Sequence, residues 1–259
     1  MDPLQHQIVT PDSEIYIIQN FYPDASGIVD SLERECKFDS LTTNGKLLDR
    51  LGSFEGIQYQ DGSTPWLRCP SIEGQHIHPF SNVQESIRQH ILSVTGFETN
   101  ISKLQRYDNG MSSIASHSDK IIDLDVNTPI FIVRFGADRT CIFRNKETGQ
   151  VIYTLFPHNS LLVITYNGNL HWTHGIIREQ HISKPSYSIV FRNSVTRTHG
   201  NYIYGERTPF KNITSITEYL QRNESPSPWI GGHFSKDEID RFDNVINQSD
   251  KFLYKHPNI

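Results

Sequence analysis

From Ile101 to Ser194 the chain is divided into short runs rich in β-branched and aromatic residues: ISKLQRY, SIASHSD, PIFIVRFG, TCIFRN, QVIYTLF, SLLVIT and YSIVFR. The turn signals DNG, KETG and YNGN fall between them, so the backbone reverses about every 8 to 12 residues or so. Strands this short and this closely spaced make an antiparallel all-β body, a sandwich or a jelly roll. Period two then assigns faces along the last run. Ser186, Ser188, Val190 and Arg192 share one side, and Tyr187, Ile189 and Phe191 share the other. The polar face points at a site and the apolar one packs.

Helices flank this body. SEIYIIQNFYPD opens with a strand-like run, and in DASGIVDSLERECKF the residues Ile28, Val29, Leu32 and Cys36 stand at helical spacing. A second helix is predicted in SNVQESIRQHILSVTGF, with Ser81 and Gln84 as a capping box and Val83, Ile87, Ile91 and Val94 on one face. Residues 38–80, rich in Gly, Ser, Pro and Asp, read as irregular loops and short hairpins. The tail from Tyr202 carries ESPSPW and then SKDEIDRFDNVI, a short helix with Ser235 and Glu238 as its capping box. One large domain is expected, with residues 1–100 as an N-terminal strand and helix region whose substrate-side loops pack on the core. Residues 101–201 form that core and 202–259 a C-terminal extension of the same domain.

Bulk composition narrows the class without naming a function. With 36% hydrophobic and 20% charged residues the chain is ordinary for a globular protein. Cys36, Cys69 and Cys141 form no C-x-x-C pair and read as buried free thiols rather than a disulfide framework or a zinc-thiolate site. No apolar run approaches the ~20 residues of a membrane span, and MDPLQHQIVTPDS has neither the basic nor the apolar region of a signal peptide. An intracellular protein is expected, cytoplasmic or nuclear, monomeric and without a membrane partner. The net charge of −5 argues weakly against a generic nucleic-acid binder. The charge is uneven, however: His171 to Arg222 holds seven Lys and Arg against three Glu, which permits a phosphate-facing rim.

The chemistry enters at SSIASHSDKIIDL, where His117 and Asp119 stand two apart in what reads as extended chain. Side chains two apart on a strand share a face, so imidazole and carboxylate converge. The best placed third ligand is His174 in NLHWTHGI, just after the strand SLLVITY and 55 residues beyond Asp119. His-x-Asp with a distant His is the 2-His-1-carboxylate facial triad of non-haem iron oxygenases, which leaves three positions for co-substrate and oxygen. His171 and His181 flank His174 and suit surface or substrate-rim roles better. Trp172 and Phe143 read as core residues.

The order QRYDNG, SSIASHSDK, IVRFGADRTCIFR, PHNSLLVIT, HWTHGI and YSIVFR resembles the AlkB-like family of Fe(II)- and 2-oxoglutarate-dependent dioxygenases. The resemblance covers roughly Asn20 to Gly205. It implies a mainly β fold with flanking helices around a double-stranded β-helix, or jelly-roll, core. It also implies His117, Asp119 and His174 as the catalytic iron ligands, with Fe(II) as cofactor and 2-oxoglutarate and O2 as co-substrates. Gln105, Tyr107, Ser188 and Arg192 match positions that contact 2-oxoglutarate.

The chain departs from the family at Ser186, where an arginine usually pairs with the distal carboxylate of 2-oxoglutarate. Arg134 stands on PIFIVRFG, a neighbouring strand in a jelly roll, at a site-facing position where the family often has serine. An exchange of places would supply the missing guanidinium. Lys184, Arg178 or Arg197 could substitute, the pocket could take another keto acid or none, or Arg134 could form a surface ion pair.

The activity the resemblance implies is oxidative: 2-oxoglutarate goes to succinate and CO2 while a substrate C–H bond is hydroxylated, and a hydroxylated N-methyl group sheds formaldehyde. Oxidative demethylation of methylated DNA or RNA is the first expectation. Hydroxylation of a protein side chain or small molecule is the second, and a catalytically silent binding module the third. An intact triad argues against the last.

Overall fold

The structure is a computed structural model describing residues 5–43, 46–60, 62–67, 76–120, 123–199 and 202–205. The N-terminal part contains β1 (Gln5–Ile8), β2 (Ile15–Gln19), α1 (Ile28–Glu35), β3 (Asp39–Thr43), β4 (Lys46–Gly56), β5 (Thr64–Pro65), β6 (Ile77–Pro79) and α2 (Asn82–Thr95). Next come β7 (Ile101–Tyr107), β8 (Ile114–His117), β9 (Ile130–Gly136), β10 (Arg139–Asn145), β11 (Val151–Phe156) and β12 (Ser160–Ile164). After these follow α3 (Tyr166–His171), β13 (Trp172–Ile176), β14 (Ser186–Arg192), β15 (Thr196–His199) and β16 (Tyr202–Gly205). The predicted C-terminal helix and Cys69 lie outside the described residues.

A large sheet runs β1-β2-β12-β9-β14-β7-β4-β3, with β6 added beside β4, and a smaller one runs β11-β10-β13-β8. The two face each other as a double-stranded β-helix, resolving the choice between sandwich and jelly roll. The central strands of the large sheet, β12, β9, β14 and β7, are buried on both faces, and period two sorts their side chains between two cores. On β9, Ile130 and Ile132 pack into the space between the sheets, while Phe131, Val133 and Phe135 pack on the outer, helical side. On β14, Tyr187, Ile189 and Phe191 take the helical side as the alternation requires.

The helices exist because that outer face needs covering. Ile28 and Leu32 of α1, and Val83, Ile87 and Ile91 of α2, are buried at the four-residue spacing of one helix face. Fully burying such a side chain contributes roughly 1.5–3 kcal/mol. Ser81 caps α2 by accepting from Gln84 N at 3.4 Å, but the reciprocal half of the capping box is absent. Ser81 N donates instead to Glu55 Oε2 at 2.8 Å, and the Gln84 side chain accepts from Ser102 Oγ at 2.6 Å. Burial raises the Glu55 carboxyl above its ordinary value, against the hydrogen bonds from Ser81.

One stretch differs from expectation. Within 38–80, β4 is an 11-residue strand paired with both β3 and β7 rather than an irregular loop. Its Gly52 and Gly56 obscure the strand pattern, yet they are needed: a Cβ on Gly52 would lie 2.6 Å from Leu41 Cδ1 and 3.0 Å from the Leu104 carbonyl oxygen.

The DNG turn after β7 is pinned by backbone bonds from Gly110 N to Ile182 O and from Glu179 N to Gly110 O, both 2.8 Å. A Cβ on Gly110 would fall 1.8 Å from Glu179 O. Gly110→Ala is therefore expected to lower the unfolding free energy by about 2 kcal/mol or more, measured by urea denaturation.

Candidate active site

His117 closes β8 and His174 stands at the centre of β13, where the two are direct partners across the antiparallel pair. Cross-strand partners share a face, and the imidazole centroids are 4.5 Å apart. Two details differ from the sequence reading. The run before His174 is a short helix, α3, followed by a new strand, so the ligand lies mid-strand rather than just after one. Asp119 lies beyond the end of β8, so strand alternation alone does not aim it.

Asn169 and Ser118 aim Asp119 instead. Asp119 N donates to Asn169 Oδ1 at 2.8 Å, Asn169 Nδ2 donates back to Asp119 O at 2.9 Å, and Ser118 Oγ donates to Trp172 O at 2.9 Å. These bonds fasten the residues after β8 to α3 and the start of β13. The ligand atoms of His117, Asp119 and His174 then all lie within 4.8 Å of one another, the one such group among the described residues.

The donor set suits a divalent metal. His117 Nδ1 lies 2.9 Å from Ala115 O, which fixes its proton there and leaves Nε2 free, 3.7 Å from Asp119 Oδ1. Arg192 forks onto the other carboxylate oxygen, with Nε and Nη2 at 2.8 and 2.6 Å from Asp119 Oδ2. Burial raises the Asp119 carboxyl, but Arg192 and the two histidines more than offset it and hold it well below the usual carboxylate range. Burial pushes His174 down to about 3, with His117 adding to the effect. His117 is also lowered by burial, with Lys103 and Arg192 acting against the pull of Asp119. Ionised carboxylate and neutral imidazoles are the forms that bind a metal.

The remaining sequence candidates gather on the facing sheet. Gln105 and Tyr107 of β7 lie opposite Ser188 and Ser186 of β14, and Ser188 lies opposite Arg134 of β9. Gln105, Tyr107, Arg134, Ser186 and Ser188 are all buried. Arg134 is no surface ion pair: it is 0% exposed, and its Nη2 donates to Ser188 Oγ at 3.0 Å. Nε and Nη1 of Arg134 have no hydrogen-bond partner. Buried donors of this kind fit an anionic co-substrate. Arg192 is engaged with Asp119, so it reaches the site through the metal ligand. Trp172 and Phe143 are core residues, 2% and 0% exposed. His181 is exposed and His171 pairs with Glu147 at 3.6 Å, so neither joins the triad.

Three residues of the site were not singled out from sequence. Asn169 hid inside the turn signal YNGN. Arg50 of β4 donates through Nε to Gln105 Oε1 at 2.8 Å and through Nη1 to Ser113 O at 3.0 Å. Lys103 is buried on the site-facing side of β7, its ammonium 5.5 Å from the Phe54 ring centroid. A polar residue at every second position, Lys103, Gln105 and Tyr107, was the available signal.

A jelly roll with two histidines on its small sheet and an aspartate just beyond it, in the order His-x-Asp and a distant His, matches the class of mononuclear iron oxygenases. The family model described as the 2OG-Fe(II) oxygenase superfamily matches residues 20–207, and the chain belongs to that family. Within it the chain is an AlkB homologue. It is 32% identical over 122 residues to the human DNA oxidative demethylase ALKBH2, covering 44% of this chain and 47% of that protein. It is 27% identical over 184 residues to the human alpha-ketoglutarate-dependent dioxygenase alkB homolog 3, covering 64% of this chain and 63% of that one. The chain thus spans about half to two thirds of these relatives' length. A solved structure, "The structure of OsALKBH1", shares the fold at TM-score 0.52 and 12% identity, covering 74% of this chain and all of that one. No helix among the described residues is long and apolar enough to cross a membrane.

The depressed His174 gives a pH dependence. Unfolded imidazole takes up a proton near pH 6.5, whereas the folded one stays neutral down to about 3. Stability of the metal-free protein is therefore complete above about pH 6.5 and is lost as pH falls from there toward 3. Urea unfolding across that range should show the decline, and His174→Gln should flatten it.

Proposed function

We propose that this protein is an Fe(II)- and 2-oxoglutarate-dependent dioxygenase that oxidatively demethylates alkylated DNA or RNA. The observation that carries the reading is the convergence of His117, Asp119 and His174 on one point, with Arg192 holding the outer carboxylate oxygen. The relatives named for DNA oxidative demethylation support the substrate class.

Iron bound by the triad would supply the oxidation of a C–H bond, with O2 and 2-oxoglutarate consumed and succinate and CO2 released. The chain's own residues do the rest. His117, Asp119 and His174 would hold the metal, with His117 Nε2 and Asp119 Oδ1 turned toward each other. Asn169 fixes the Asp119 backbone, and Arg192 holds the second oxygen of its carboxylate. Gln105, Tyr107, Arg134 and Ser188 form the polar wall assigned to 2-oxoglutarate, and the apolar residues between the sheets exclude water from it. A hydroxylated N-methyl group then leaves as formaldehyde.

Turnover of iron-loaded protein with methylated oligonucleotides, 2-oxoglutarate and O2 should yield succinate and formaldehyde in equal amounts. His117→Ala and Asp119→Ala should lower both by at least about 1,000-fold. Succinate formation without demethylation of any oligonucleotide would turn the reading to hydroxylation of a protein or small molecule.

Lys103 and Arg50 add a preference within this reading. A methylated base that is cationic at neutral pH is repelled by these cations, whereas a neutral methylated base is not. Lys103→Met is expected to shift the ratio of the two turnover rates toward the cationic base by about tenfold. A ratio that does not move removes Lys103 from substrate choice.

A further inference from the structure

Arg134 is the one fully buried arginine in the protein's described core that no carboxylate meets. Arg139, equally buried, shows what a satisfied one looks like. Its Nε donates to Glu179 Oε2 at 3.1 Å, and its Nη2 donates to the carbonyls of Ser112 and Ile177 at 2.8 Å. Arg134 makes one hydrogen bond, to Ser188 Oγ, and leaves Nε and Nη1 unmatched.

Among the described residues, the groups around Arg134 offer it no anion. Phe156 and Tyr107 present rings with centroids 4.8 and 6.0 Å from the guanidinium carbon. The Cys141 thiol is held neutral, pushed by burial up to about 11. Glu179 is taken by Arg139 and Thr140. Small hydroxyls flank the guanidinium's own strand on both sides, since Ser160 of β12 and Ser188 of β14 are its register partners. Ser186 Oγ, also fully buried, has no partner either. A desolvated cation with spare donors beside two buried serines is suited to a ligand's negative charge.

β14 gives this arrangement its direction. Arg192 at one end grips the metal ligand Asp119, and Ser188 lies four residues along the same strand face, about 13 Å away at the backbone. A ligand chelating the metal at one end and carrying a carboxylate at the other would run along this face toward Arg134. The other cations weighed from sequence are elsewhere: Lys184 is exposed, and Arg178 bonds Ser113 Oγ at the surface. Arg197 lies over the Tyr59 ring in a cavity lined by Glu98 and Asp125 and by no triad residue.

We infer that Arg134, on β9, supplies the guanidinium for the distal carboxylate of 2-oxoglutarate, a role moved across the sheet from the Ser186 position of β14. This rests on reading the pocket as a 2-oxoglutarate site. Ser186 and Ser188 are then the space that the displaced side chain requires, and Ser188 orients it.

Calorimetric binding to manganese(II)-loaded protein tests the assignment without turnover, using 2-oxoglutarate and 2-oxopentanoate, which ends in methyl where the first has carboxylate. Wild type should bind 2-oxoglutarate about 100-fold tighter or more. Arg134→Met should bring that ratio to within about fivefold, by loss of 2-oxoglutarate affinity alone, and should melt at a higher temperature than wild type when no keto acid is present. Ser186→Arg combined with Arg134→Ser should restore the preference, which guards against a variant that simply packs badly. An Arg134→Met protein that keeps the wild-type ratio overturns the assignment. Wild type that holds manganese but binds neither acid overturns the co-substrate reading, and the assignment with it.

Discussion

The antiparallel pairing of β8 with β13 is the constraint on which the metal site depends. It places His117 opposite His174 and brings the two imidazoles onto one face. The approach is close enough that a Cβ on Gly175 would lie 2.8 Å from the Ile114 carbonyl oxygen, so glycine at that position is part of the site's geometry. β13 is held on its other edge by β10, where Phe143 backs His174. The third ligand belongs to no ladder, and its position is determined by Asn169 and Arg192, one from the small-sheet side and one from the large. The site therefore forms only when both sheets are in place.

Charge inside the jelly roll follows a consistent logic. Arg192 offsets Asp119, and Arg139 offsets Glu179 while tying the DNG turn to the segment before β14. Arg134 departs from that pattern, with Nε and Nη1 unpartnered among the described residues. Buried charge left unsatisfied by the fold itself is expensive, so its persistence points outward, to something that binds.

Much of this was legible in the chain. Period two along β9 and β14 separated site-facing from helix-facing residues, and the structure keeps that separation at every position named. The triad was legible because its spacing is chemical rather than conformational. β4 was not, since Gly52 and Gly56 serve close packing against Leu41 and Asn100 and so read as turn residues. Asn169 was not, since an asparagine beside a glycine signals a turn whether or not its side chain also clamps a loop. The second half of the α2 capping box failed for a related reason: Glu55, distant in sequence, occupies the donor that Gln84 would have used.

The sequence by itself determined the strand rhythm, the two helices that cover the large sheet, and the identity of the three candidate metal ligands, because each is written in local periodicity or in residue chemistry. Only the tertiary structure decided which oxygen of Asp119 faces the histidines, that Arg134 is buried without a carboxylate, and that Arg50 and Lys103 reach the pocket. These depend on which strands become neighbours. Strand order is a property of the closed sheet, and no stretch of chain carries it alone.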